Sequence, residues 1–134
     1  MKSKKRGFTL MELLVVVAII GILAAIVMVS LNTARNKGKN GAVKAQMAQL
    51  RSAAEMFSED NSGSFTGWCA DGETAKISAG VVNSGGASFS CNESSSAWAA
   101  EAALAGTAAG YWCVDSSGAS KAEAATMAAA TVCP

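Results

Sequence analysis

The chain has 134 residues and a mass of 13.5 kDa, which is room for one small domain and an appendage. Hydrophobic residues make up 51% and charged residues 16%, a composition that excludes a disordered, highly charged protein. The absence of histidine excludes sites that need an imidazole, such as Ser-His-Asp catalysis, His-ligated zinc and His-ligated haem. A net charge of +1 gives no support to nucleic-acid binding through net charge.

An uncharged segment runs from Leu13 to Leu31, shortly after a basic N-terminus. As a helix it spans about 28 Å, close to the bilayer hydrocarbon thickness of about 30 Å. Such a helix is apolar on every side and needs burial on every side. The rest of the chain is too short to surround it. The segment is therefore predicted to lie in a membrane or at the centre of an assembly of many copies.

A secretory signal peptide has the same order of basic and apolar residues. Two features count against this alternative. Glu12 opens the apolar run, where a deeply inserted carboxylate costs about 2–3 kcal/mol. The nearest small-residue cleavage site, Leu23-Ala24-Ala25, lies inside the run instead of after it.

The segment 32–41 is rich in glycine and asparagine, which predicts a weak helix there. Helical periodicity resumes directly afterwards, with apolar residues three and four positions apart. They are Val43, Met47, Leu50, Ala54 and Phe57. We expect this stripe to dock on the protein's own sheet, and we expect Asn61-Ser62-Gly63 to end the helix.

Four cysteines lie in the C-terminal part: Cys69, Cys91, Cys113 and Cys133. No Cys-x-x-Cys pair is present, so the spacing is wrong for a zinc ribbon or a redox motif. Two structural disulfides formed in an oxidising compartment are predicted, with three connectivities open. This places the C-terminal part outside the cytoplasm and sets the orientation of the apolar span.

Alternating residues predict an antiparallel meander over 97–104, 110–115 and 119–122, although the alanine content of 97–105 also allows a helix. The aromatic residues Trp68, Phe89, Trp98 and Trp112 are interpreted as core. Asp71, Glu73 and Asp115 are candidate calcium ligands without EF-hand spacing, and no metal or cofactor is predicted. No catalytic motif is found, so an enzyme is not expected.

The stretch from Lys5 to Leu14 reads KRGFTLMELL and resembles the cleavage and methylation signal of type IV pilins and pseudopilins. The resemblance implies that a prepilin peptidase cleaves between Gly7 and Phe8 and that the new amino terminus at Phe8 is N-methylated. It assigns to Glu12 the neutralisation of a neighbouring subunit's amino terminus. Physically, an amine and a carboxylate in an apolar medium lose most of their desolvation cost when they pair.

The resemblance implies an α+β pilin fold: a long N-terminal helical spine packed on a small, disulfide-stapled antiparallel sheet. The implied parts are a leader (1–7), a transmembrane and assembly helix (8–31), its amphipathic second half (32–60) and a globular head (61–134). Pilins often close a C-terminal loop with a disulfide, which favours the sequential pairing Cys69–Cys91 and Cys113–Cys133. The crossed pairing, Cys69–Cys113 and Cys91–Cys133, stays open. Type IV pilins often carry a proline in the spine, but the only proline is Pro134, which leaves Gly21 as the candidate weak point.

The function implied is that of a structural subunit of an extracellular helical filament. The implied partners are further copies of the chain, the prepilin peptidase, the pilus assembly machinery and, before assembly, the membrane as a single-pass protein. No specific nucleic acid is predicted. The alternatives are a pseudopilin of type II secretion, a minor pilin of a DNA-uptake machine, and a single-span anchored binding domain that never polymerises.

Overall fold

The computed structural model describes residues 7–106 and 110–134, so the predicted leader lies outside the described residues except for Gly7. The chain divides into an N-terminal unit, Met1–Arg35, and a C-terminal unit, Asn36–Pro134. In chain order the elements are α1 (Leu10–Asp60), a 3-10 turn (Trp68–Ala70), α2 (Gly72–Asn83), β1 (Phe89–Glu93), β2 (Trp98–Ala103), β3 (Tyr111–Asp115) and β4 (Ser120–Glu123). The α+β class predicted from the sequence is confirmed.

Helix α1 passes through the segment 32–41 without a break, which differs from the weak helix expected there. Each glycine costs about 1 kcal/mol relative to alanine. Tertiary contacts offset this cost, because the Asn40 amide donates to the Ala105 carbonyl at 3.0 Å and its side-chain oxygen accepts the Ala105 N–H at 2.7 Å. The segment also lacks proline, so no helical donor is lost.

The C-terminus of α1 lies where the sequence predicts it. Ser62 and Gly63 have φ values of 56° and 83°, and the Gly63 N–H donates to the Ser58 carbonyl at 2.8 Å. Backbone in this left-handed conformation satisfies carbonyls that the last helical turn leaves free. The chain therefore leaves α1 at Asp60 and continues into the 3-10 turn and α2.

The four strands form one antiparallel sheet in the order β1-β2-β3-β4. The predicted meander is confirmed, since β2, β3 and β4 each begin and end within one residue of the predicted ranges. The alternative of a helix over 97–105 is wrong. Neither β1 nor α2 follows from the hydropathy pattern. Strand β1 reads FSCNE, and its residues are half-buried on both faces, so no clear alternation marks it.

One face of the sheet packs against α1 of the C-terminal unit, as the apolar stripe predicts. The helix contributes four fully buried residues to the shared core, Val43, Met47, Leu50 and Ala54, and the sheet contributes Trp98, Ala100, Ala102 and Val114. Phe57, the fifth residue of the stripe, is half-buried, and its ring centre lies 5.8 Å from that of Trp68. Trp68 and Trp98 are fully buried, whereas Phe89 and Trp112 pack at the margin of the core.

The opposite face of the sheet is covered by the C-terminal segment 124–134. Met127 and Cys133 from this segment pack on Ala99 and Cys113 of the sheet. The apolar contact is small, and polar side chains of the sheet supply further attachment. One of them is Glu101, which is buried and accepts the Met127 N–H at 2.7 Å.

Asn92 of β1 provides a second polar attachment of this segment. Its amide nitrogen donates to the carbonyls of Ala128 at 2.7 Å and Ala130 at 3.0 Å. These hydrogen bonds satisfy polar groups of the sheet and of the C-terminal segment. They hold the C-terminal segment on the sheet although it has no regular secondary structure.

Two disulfides cross-link the C-terminal unit, and they pair the four cysteines in sequential order. Cys69 is bonded to Cys91 with a Cα–Cα distance of 5.7 Å, and Cys113 to Cys133 with a Cα–Cα distance of 5.8 Å. The first bond ties the segment after α1 to β1, and the second ties the C-terminal segment to β3.

Gly110 is a position where the neighbouring backbone leaves no room for a side chain. A Cβ there would lie 2.0 Å from the carbonyl oxygen of Glu123. We expect Gly110→Ala to destabilise the protein by about 1–3 kcal/mol, because the pairing of β3 with β4 must shift. The matched control is Gly38→Ala, where a Cβ meets nothing within 4 Å and the helix gains up to about 1 kcal/mol. Denaturant unfolding of the full chain in detergent measures both, and equal stabilities of the two variants would contradict this assignment.

Candidate functional site

Residues 7–9, directly before α1, are exposed. Gly7, Phe8 and Thr9 have no regular secondary structure, and the Phe8 side chain is 76% exposed. A Cβ added to Gly7 would meet nothing within 4 Å. The fold of the chain itself therefore does not require glycine at position 7.

Thr9 and Glu12 form a capping box at the start of α1. One oxygen of the Glu12 carboxylate accepts the Thr9 N–H and the Thr9 hydroxyl, both at 2.9 Å, and the Glu12 N–H donates to the Thr9 hydroxyl oxygen at 3.2 Å. Such a box satisfies free donors at a helix N-terminus, where a negative charge is favourable. The role of Thr9 was predictable, because Thr-x-x-Glu before an apolar run is the sequence pattern of this cap.

The N-terminal unit exposes its large apolar side chains. Their exposed fractions range from 46% at Val16 to 80% at Leu10. By length and composition α1 is able to cross a membrane. A continuous apolar surface of this kind marks contact with lipid or with other protein chains. Glu12 is the acidic residue at its start.

The candidate calcium ligands do not form a metal centre. Within residues 7–106 and 110–134, no three His, Cys, Asp or Glu side chains are grouped to hold a metal ion. Asp71 instead caps α2 by accepting the Glu73 N–H at 2.8 Å, and Glu73 pairs with Lys76 at 3.0 Å. The Asp115 carboxylate, at the end of β3, accepts hydrogen bonds from within the chain.

Asp115 joins the β3–β4 turn to the C-terminal segment. One carboxylate oxygen accepts the Ser117 hydroxyl at 2.7 Å, the Ser117 N–H at 2.9 Å and the Ala119 N–H at 3.0 Å, and the other accepts the Cys133 N–H at 2.8 Å. Burial raises the pKa of this carboxyl, but the hydrogen bonds from Cys133, Ser117 and Ala119 favour the ionised form more strongly, so its pKa lies below the ordinary value.

We expect Asp115→Asn to lower the free energy of unfolding by about 1–3 kcal/mol at pH 7. The pKa is lower in the folded than in the unfolded chain, so the contribution is fully present above the unfolded value of about 3.9 and is lost as the pH falls through the folded value. Denaturant unfolding of wild type and variant at pH 7 and near pH 3 measures it. The difference between the two proteins should shrink in acid, and a constant difference would refute the assignment. Glu59→Gln, at an exposed position on α1, is the control.

The N-terminal segment of the chain is similar to sequences of known proteins. Residues 2–28 match the family described as the prokaryotic N-terminal methylation motif. The chain is 39% identical over 61 residues to the type II secretion system core protein G of Klebsiella michiganensis, covering 46% of this chain and 43% of that protein. It is 39% identical over 71 residues to the type IV major fimbrial protein FimA of Dichelobacter nodosus, covering 51% of this chain and 46% of that protein.

About half of the chain is thus similar to type IV pilins and to a pseudopilin-type secretion protein. A third relative is the type IV wide pilus major component PilA4 of Thermus thermophilus, 40% identical over 76 residues that cover 57% of this chain and 54% of that protein. The chain spans about half the length of the curated relatives it matches. No solved structure matches the chain.

The similarity to type IV pilins agrees with the observed architecture. A long helix with an apolar N-terminal part, a four-stranded antiparallel sheet and two disulfides match the type IV pilin fold. The relatives include both pilus subunits and secretion proteins, so the pilin and pseudopilin alternatives are both compatible with the matches.

Proposed function

We propose that the chain is a structural subunit of an extracellular type IV pilus filament. It is made as a precursor, held in the membrane by the apolar part of α1, and polymerised through that same part. The observation that carries the proposal is the exposed apolar surface of the N-terminal unit with Glu12 at its start. Nothing in the described part of the chain covers this surface, and lipid before assembly and neighbouring helices after it would do so.

We propose that prepilin peptidase cleaves between Gly7 and Phe8 and that Phe8 is then N-methylated. Both residues lie outside regular secondary structure, where a protease can bind extended backbone. Glycine at position 7 has no packing reason within the chain, which supports an external reason such as recognition by the peptidase. The match of residues 2–28 to the methylation motif supports the same sites.

The proposed role of Glu12 is to pair with the amino terminus of a neighbouring copy. One of its oxygens accepts both hydrogen bonds from Thr9. A carboxylate has about four acceptor sites, so Glu12 retains capacity for a second donor. In an apolar assembly an unpaired amine is costly, and this carboxylate would remove most of that cost.

The proposed orientation places the C-terminal unit outside the cytoplasm, because two disulfides persist in an oxidising compartment. The peptidase and an assembly machinery are the further partners this route requires. We propose a structural role without enzymatic activity, in line with relatives named as fimbrial and pilus components.

The second candidate is a pseudopilin of type II secretion, which the 39% identity to core protein G favours. Electron microscopy of filaments sheared from cells distinguishes the two. A pilin predicts surface filaments that disappear when the gene is deleted, return on complementation and contain this chain. Absence of such filaments, together with a secretion defect in the deletion strain, would favour the pseudopilin and contradict the pilin proposal.

A further inference from the structure

A groove lies in the C-terminal unit between the end of α1 and the start of α2. Its volume is about 420 Å³. Its floor is formed by apolar side chains that include Met56, Phe57 and Ile77, and acidic residues line its rim, Asp60, Asp71 and Glu73. Met56 is 67% exposed, so part of the apolar floor is uncovered in the single chain. The groove suits a ligand that is both apolar and cationic.

Charges are distributed unevenly over the same part of the chain. No acidic residue lies between Glu12 and Glu55, whereas lysine is present at positions 37, 39 and 44. Between Arg51 and Lys76 the chain has only acidic charges, Glu55, Glu59, Asp60, Asp71 and Glu73. The C-terminal unit thus has a basic surface at Lys37, near the start of its part of α1, and an acidic surface around the groove. Lys39 lies two positions further along the helix and therefore on a different face.

Lys37, Lys39 and Asp60 have no ionic partner among the described residues, whereas Glu73 pairs with Lys76 at 3.0 Å. Lys37 and Lys39 are exposed and form no ion pair with any described residue. Lys44 differs, because its ammonium lies 4.2 Å from the ring centre of Trp112. Asp60 also has no ion-pair partner among residues 7–106 and 110–134. The basic surface and the acidic groove are therefore both available to another molecule.

We propose that the basic surface at Lys37 of one copy docks on the acidic groove of a second copy. The inference rests on the proposed filament. Along α1 the two surfaces lie about six turns apart, or about 35 Å, so the helix keeps them separate within one copy. Two parallel copies staggered by that distance bring them together. Because the two surfaces differ, the contact repeats without closing and builds an open filament.

The chemistry of lysine fits this groove. Its methylene stem lies well on apolar side chains such as Met56 and Phe57 while the ammonium stays at a polar rim. There the ammonium of Lys37 would meet Asp60, which has no other ionic partner in the described chain. Complementary charge of this kind sets register and rejects wrong neighbours.

Charge reversal in cells tests the contact. We expect Lys37→Glu and Asp60→Lys each to lower the yield of sheared filaments about tenfold, because like charges then face each other. The combined variant restores the opposite signs and should recover most of the yield. Lys37→Arg and Asp60→Glu keep the charges and should assemble like wild type. Immunoblotting and thiol labelling confirm that each variant is produced and oxidised.

Cross-linking locates the contact directly. Filaments grown from mixed ¹⁴N and ¹⁵N chains are treated with a carbodiimide, which joins lysines to carboxylates in contact. Mixed-isotope peptides that link Lys37 to Asp60, Asp71 or Glu73 are expected. Groove carboxylates that link only to other lysines, or single reversals that the combined variant does not rescue, would overturn the inference alone. A wild-type chain that forms no filaments would overturn the proposed function as well.

Discussion

Glu12→Ala should reduce filament assembly by several orders of magnitude while leaving membrane insertion intact. Removal of a carboxylate makes the apolar span easier to insert by about 2–3 kcal/mol. In the assembled filament, however, the amino terminus of the neighbouring copy would lose its partner in an apolar medium, which costs about 3–5 kcal/mol for a buried pair. The penalty recurs at every subunit added. Quantifying the chain in membranes and in sheared filaments measures both effects.

Thr9→Ala is the matched control for this prediction. It removes the hydroxyl of the capping box but keeps the Glu12 carboxylate and the Thr9 backbone N–H that donates to it. Loss of the N-cap costs about 1 kcal/mol of helix stability and should reduce filament yield only modestly. If both variants failed to assemble equally, Glu12 would act through the cap alone. Wild-type yield from Glu12→Ala would contradict its role in assembly.

Removal of the Cys113–Cys133 disulfide should lower the free energy of unfolding by about 2–5 kcal/mol. The double variant Cys113→Ala and Cys133→Ala is preferred to serine because Cys113 is fully buried and a hydroxyl there would need a partner. Without the bond, the C-terminal segment keeps only its small contact at Met127 and its hydrogen bonds to the sheet. Denaturant unfolding in detergent measures the loss.

The contributions of the Cys113–Cys133 disulfide and of Asp115 to the free energy of unfolding should be coupled. Asp115 accepts the N–H of Cys133 itself, so release of the bond also frees this hydrogen bond. Asp115→Asn should therefore cost less in the disulfide-free protein than in wild type, which a double-mutant cycle measures. Peptide mapping without reduction checks the pairing in exported protein, and a fragment that joins Cys69 to Cys113 would contradict it. An unchanged free energy of unfolding in the double-alanine variant would show that the Cys113–Cys133 disulfide does not stabilise the fold.

The sequence predicts the elements whose hydropathy pattern is regular. The stripe from Val43 to Ala54 has helical spacing, and the strands β2 and β3 have alternating residues, so their place in the core follows from periodicity. Strand β1 is short and mixed in composition, and its pairing with β2 fixes it. Helix α2 has a local start signal in its N-cap Asp71, which the hydropathy pattern does not reveal. The low helix propensity of segment 32–41 predicts a weak helix, but the helix is unbroken there. Asn40 in this segment forms hydrogen bonds with Ala105.

The residues of the candidate site likewise fall into two groups, those that a local sequence pattern predicts and those that only the folded chain brings together. Gly7, Phe8 and Glu12 are found from a local motif, and the cap between Thr9 and Glu12 has a local pattern too. The carboxylates that hold the C-terminal segment have no such signal. Asp115 contacts Cys133 and Glu101 contacts Met127 across long stretches of chain, and only the folded sheet brings these pairs together.

The intact mass of the chain recovered from sheared filaments tests the proposed function most directly. We predict the mass of residues 8–134 with two disulfides and one added methyl group, since cleavage after Gly7, oxidation of all four cysteines and N-methylation of Phe8 must all have occurred. Chain recovered from the membranes of a prepilin-peptidase deletion strain is the control and should retain the leader. A filament-borne chain that retains residues 1–7 and carries no methyl group would contradict the proposal.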